Sequence, residues 1–177
     1  GDNNTLFGIK AGDAITTSSS NVALDADALS SDTVGSRSIA IGQSALEVQN
    51  FTSATNTYNI AVGFNAGAAV TTGIENVLIG GLAGDAITTG SSNIAMGLNA
   101  LGSVTTASYN VGIGQSAGGA ITTGAKNTLM GFAAGDAVTT GDFNVAIGYD
   151  AGTAITTGQT NVIIGGLAGD AIITGAD

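Results

Sequence analysis

The densest run of chemically capable residues is DADALSSD, which places Asp25, Asp27 and Asp32 within eight positions. Paired carboxylates can divide acid and base work between them when their environments separate their pKa values. They can also hold a hard cation, and the run begins like a calcium loop, but Leu29 stands where a third oxygen ligand is needed. A second acidic set recurs in the phrase AGDA, at Asp13, Asp85, Asp136 and Asp170. Ala68, Gly102, Gly119 and Thr153 occupy the equivalent place elsewhere, and the nonapeptide motif of calcium-binding rolls is absent. The chain has no His and no Cys, which removes a histidine base and the favoured ligands of zinc. No catalytic residue, metal ligand or cofactor is expected. The Asp25–Asp32 cluster reads as a solvated acidic turn, and the chain as a non-enzyme.

The elements that would carry these residues repeat. Blocks such as NVAIGYDAGTAITTGQT begin at Asn4, Asn21, Ser38, Asn59, Asn76, Asn93, Asn110, Asn127, Asn144 and Asn161, a step of 17 residues throughout except in the third copy. That copy carries four extra residues within 46–58. Every residue from 4 to 177 falls in this frame, so residues 1–177 form one repeat domain with no linker. The last residue coincides with a repeat boundary, as expected of a fragment of a longer fibre chain.

Within the frame, column one is Asn in nine copies of ten and column five is Gly in nine of ten, while column eight is always Ala. Columns two to four and eleven to fourteen are short β-branched runs closed by Gly or Asn corners, which read as two strands and two turns per copy. A unit this short cannot bury an apolar face alone, so copies must stack, each residue above its equivalent 17 positions on. The fold expected is an all-β parallel β-solenoid, a β-roll, of ten 17-residue coils. Columns two, four and twelve are expected in the core. Column three then faces outward, yet it is apolar in every copy and includes Leu6, Leu78, Leu129 and Ile163. Those residues are the candidate interface between chains, since a strand apolar on both faces is normally buried on both.

Two further surfaces invite function. An outward Thr ladder is expected at Thr16, Thr71, Thr88, Thr105, Thr122, Thr139 and Thr156, an array that could bind ice. Variable columns place Phe64, Asn65, Tyr109, Phe132, Phe143, Tyr149 and Asp150 at the turns, where they are candidate contacts with a surface receptor. Lys and Arg total 3 against 13 Asp and Glu, a formal net charge of −10, so nucleic acid and anionic lipid are not expected partners. Gly, Thr and Asn interrupt every apolar run before the ~18 residues needed to cross a bilayer, so no membrane insertion by this segment is expected.

The motif N-[VI]-A-[IV]-G, followed by a small residue and a Thr-Gly corner, resembles the head repeats of trimeric autotransporter adhesins. It is also similar to the 17-residue repeats of some phage tail fibres. The resemblance covers essentially the whole chain and implies a homotrimer of β-rolls on a cell surface or virion. It further implies an extracellular fibre that reaches or binds host-surface carbohydrate or protein. An ice-binding protein and a purely structural filament subunit are the alternatives.

Overall fold

The computed structural model describes residues 1–170. Each copy contributes one three-residue strand from columns two to four: β1 (Thr5–Phe7), β2 (Val22–Leu24), β4 (Ile39–Ile41), β6 (Ile60–Val62), β7 (Val77–Ile79), β8 (Ile94–Met96), β9 (Val111–Ile113), β10 (Thr128–Met130), β11 (Val145–Ile147) and β12 (Val162–Ile164). These ten pair in chain order into one parallel sheet. Register follows the repeat, as in Val77↔Ile94, Leu78↔Ala95 and Ile79↔Met96. The additional strands β3 (Gly35–Ser36) and β5 (Thr55–Asn56) pair in parallel where the third copy accommodates its insertion. No helix occurs among the described residues. The chain is a parallel β-solenoid of nine complete coils and the first ten residues of a tenth. The remainder of that copy lies outside the described residues.

Two sequence expectations are corrected here. Columns eleven to fourteen do not form a second strand. Their backbone turns back on its own coil, as when Val70 N–H donates to Gly67 O at 3.0 Å, and reaches the next coil through column thirteen, where Thr71 N–H donates to Thr88 O at 2.9 Å. Column eleven adds a bond in some coils, as when Ala69 N–H donates to Asp85 O at 3.1 Å, but these scattered bonds do not make a strand ladder.

The strand also faces the opposite way from that expected. Column three points inward: Leu78 and Leu129 are fully buried within the single chain and Ile163 nearly so, while Leu6 is partly exposed on the first coil. Leu78, Leu129 and Ile163 are core residues, not an interface between chains, and Leu6 is left 41% exposed at the end of the rod. Columns two and four carry the outward side chains, half-exposed in the interior coils. The reason is volume. A 17-residue loop encloses too little space for two β-branched side chains per strand, so the single inward position takes the burial, opposite the column-eight Ala and column-twelve Ile or Val. Ala66, Ala83, Ala100, Val70, Ile87 and Ile121 are all fully buried, as expected for those two columns.

Column three fills its space in concert with column nine. Leu78 lies in the same copy as Gly84, and Leu129 in the same copy as Gly135, whereas Ala95 accompanies Leu101 and Ala40 accompanies Leu46. A methyl added at Gly84 would stand 2.7 Å from Leu78 Cδ2, and one at Gly67 in the coil below would stand 2.5 Å from Leu78 Cδ1. One leucine thus fills the space left by two glycines. Where column nine is Leu, the strand above gives way: a methyl at Gly112 would meet Leu101 Cγ at 2.8 Å. Interiors tolerate neither void nor overlap, so the two columns alternate large and small.

A buried asparagine ladder closes each coil. Asn76 N–H donates to Asn59 Oδ1 at 2.9 Å, and its own amide Nδ2 donates to Gly90 O at 3.0 Å, joining the start of the coil to its end. The pattern continues to Asn161, whose backbone N–H donates to Asn144 Oδ1 at 3.1 Å. It lapses at Ser38, and there the expectation of a solvated acidic turn fails for Asp32. That carboxylate is fully buried in the core column. It accepts from Gly35 N–H at 2.8 Å and from Gln49 Nε2 at 2.6 Å, and Gln49 Oε1 accepts from Asn59 Nδ2 at 2.7 Å. Ser38 and Thr57 complete the network through hydroxyls 2.6 Å apart. In these coils satisfied polar groups replace the apolar column, as buried polar groups must be satisfied.

Candidate functional site

Besides the outer face of the sheet, the rod presents three surfaces. The first is a pair of aromatic columns at the turns. Phe64, Phe132 and Tyr149 stand in column six and Tyr109 and Phe143 in column seventeen, all between 45% and 61% exposed. Stacking of coils brings Phe132 onto Tyr149, with ring centroids 5.4 Å apart and planes within 11°. Asp150 adjoins this pair in sequence, whereas Phe64 and Asn65 lie four coils away. On column seventeen, Lys126 Nζ sits 4.7 Å from the centre of the Phe143 ring, and the Arg37 guanidinium 5.9 Å from that of Tyr58. Two of the chain's three cations are thereby held on aromatic faces.

Asn65 and Asp150 occupy column seven in left-handed backbone, with φ 55 and 49. Each backbone N–H donates to the coil below: Asn65 to Gln43 O at 3.0 Å and Asp150 to Phe132 O at 2.9 Å. Column seventeen shares this geometry at Tyr58, Tyr109, Lys126 and Phe143. The inter-coil bonds hold residues that would not choose this conformation alone, which is why varied side chains tolerate it.

The second surface is the Thr corner. The column-thirteen hydroxyls donate to the backbone of the next coil: Thr16 to Thr33 O, Thr71 to Thr88 O, Thr88 to Thr105 O, Thr105 to Thr122 O, Thr122 to Thr139 O and Thr139 to Thr156 O, all between 2.8 and 3.4 Å. Most of this ladder, Thr156 included, is only half-exposed. Thr16 and Thr122 are exposed, and so is the column one residue on, at Thr17, Thr72, Thr89, Thr106, Thr123, Thr140 and Thr157.

The acidic corner at column ten is the third surface. Burial raises the carboxyl pKa of Asp85 above its ordinary value, with backbone hydrogen bonds opposing. Burial and then the negative charge of Asp150 raise that of Asp136. Among the described residues, no three acidic side chains converge as a cation site would require. Asp25 is exposed and Asp27 partly so, with Lys10 Nζ 3.7 Å from Asp27 Oδ1, while Asp32 is committed to the interior. The three carboxylates therefore do not converge.

Sequence reasoning missed the strand's outer face, columns two and four, which it assigned to the core. The signal that could have found it was the alternation between columns three and nine, legible only if both are inside. Comparison of the chain with protein-family models, curated proteins and solved structures gives no match.

Proposed function

We propose that this chain is a non-enzymatic rod module of an extracellular fibre, a phage tail fibre or bacterial surface adhesin, serving attachment at a cell surface or virion. One observation carries the reading: ten in-register strands run along the chain without interruption between β1 and β12, flanked on both sides of Ser38 by the buried Asn ladder. Parallel strands about 4.8 Å apart make ten coils a rod on the order of 48 Å long. Such a rod is stiff because every coil is hydrogen-bonded to the next, and the residues free to vary lie at its turns. The exposed aromatics of columns six and seventeen suit carbohydrate or protein on a host surface, with multivalent display raising avidity.

Ice binding is the weaker reading. The expected Thr ladder donates its hydroxyls to the rod's own backbone, and the exposed Thr column stands on bends rather than on a flat strand.

Small-angle scattering of the purified chain tests the rod. The expected result is an elongated particle whose length matches ten coils, with the trypsin resistance of a continuous ladder. A compact particle of equal axes overturns the reading. For attachment, Phe132→Ala/Tyr149→Ala should weaken binding to host cells while leaving the scattering profile unchanged.

A further inference from the structure

The outer face of the ten-stranded sheet is unpartnered within the chain. It consists of columns two and four, occupied by Val, Ile, Leu, Met and Phe, with Thr at Thr5 and Thr128, and no charged side chain in either column. At the ends of the rod these side chains are open, with Phe7 78% and Ile164 68% exposed. In the interior coils these side chains are half-exposed, Met96 and Met130 at 37%. Asp85 and Asp136 stand in column ten, outside these two columns.

We propose that this face is the seam between copies of the chain, a proposal that rests on the rod reading above. Three observations select a second copy as the occupant. The first is area: ten strands at ~4.8 Å by a strand and its corners, roughly 10–15 Å wide, give about 500–700 Å² per chain. That approaches the ~800 Å² per partner of a stable association and reaches the upper end of the largest patch on ordinary monomers, ~300–600 Å². The second is pitch. The face rises and falls once per coil, and another copy has the same step along its whole length, so side chains can interdigitate coil by coil. A globular partner would lose that match within a few strands. The third is charge. The chain's net charge of −10 disfavours an anionic lipid surface, whereas two copies can meet on a stripe whose two columns carry no charge, with Asp25 at its edge.

The interface predicted from sequence is thereby replaced by its neighbours on the same strands. Because these side chains point away from the coil's own core, they can be altered without emptying it.

Sedimentation equilibrium of the whole chain is the first test, with a mass of two or three times 17.0 kDa expected. The variant Ile79→Glu/Ile113→Glu/Ile147→Glu should sediment as one chain with an unchanged circular dichroism spectrum. Should that variant fail to fold, labelling decides. The chain has no Cys, so a single Ile113→Cys substitution can be compared with Ala120→Cys on the turn. Maleimide should react at position 113 roughly tenfold more slowly than at 120. A mass of one chain for the unmodified protein, or equal labelling at the two sites, overturns the seam. An elongated particle that is monomeric would remove the seam and leave the rod reading standing, whereas a compact monomer would remove both.

Discussion

The alternation of columns three and nine can be tested by moving one coil's packing into another. Leu78→Ala removes the side chain that fills the space over both Gly67 and Gly84. Its surroundings are glycine corners fixed by inter-coil hydrogen bonds, which leaves little scope for collapse. The cost should therefore fall near the upper part of the range for buried Leu→Ala, about 4 kcal/mol. Gly84→Leu alone should also destabilise. Its Cβ would stand 2.7 Å from Leu78 Cδ2 and 2.8 Å from Ile87 Cδ1, at a backbone φ of +57. Overpacking of roughly 1–3 kcal/mol and left-handed strain of about 1–2 kcal/mol add together. The triple variant Leu78→Ala/Gly84→Leu/Ile87→Val instead reproduces the combination Ala95, Leu101 and Val104, and Leu101 adopts φ 50 in the native chain. It should lie within roughly 2 kcal/mol of the parent, the residual being the strain of a left-handed leucine. Guanidinium unfolding followed by circular dichroism at one fixed chain concentration measures all three, since self-association would make midpoints depend on concentration. A triple variant no more stable than Leu78→Ala would refute the idea that the two columns share one volume.

The buried network predicts that Asp32→Ala costs about 2–4 kcal/mol, because Gly35 N–H and Gln49 Nε2 lose their acceptor in a dry interior; hydrogen exchange should show the loss concentrated between residues 21 and 58. Gly63→Ala should cost more than 2 kcal/mol, since its methyl would stand 2.5 Å from Gly80 O at φ +140, whereas Gly166→Ala, with 3.7 Å to Tyr149 O, should shift the melting temperature little. The raised pKa of Asp136 means that its folded state holds the proton more tightly than the unfolded chain. Its unfavourable contribution is absent below the ordinary carboxylate pKa and grows as pH rises through the folded value. Asp136→Asn should therefore raise stability at pH 7 and make no difference at pH 3, as thermal melts at the two pH values would show.

Periodicity determined the architecture without help from the structure. A 17-residue step with Asn, Gly and Ala held in fixed columns admits stacking and little else, because no single copy can bury an apolar face. The buried column-eight Ala, the column-twelve core and the Asn ladder were all legible, each being a near-constant residue whose chemistry has one use in a ladder. What composition could not decide was which side of the strand faces inward. Columns two, three and four are apolar except at Thr5 and Thr128, and hydrophobicity carries no sign when both faces avoid water. The closed coil settles it by volume: its interior accepts one strand side chain per turn, so Leu78 and Leu129 lie within and Ile79 and Met130 without. Asp32 was misread for a related reason. A carboxylate in a degenerate copy looks solvated until tertiary structure brings Gln49, a full coil away, to within 2.6 Å of it. Likewise, the column-thirteen threonines look like free outward hydroxyls in sequence, and only the stacking of coils supplies the carbonyl each one reaches.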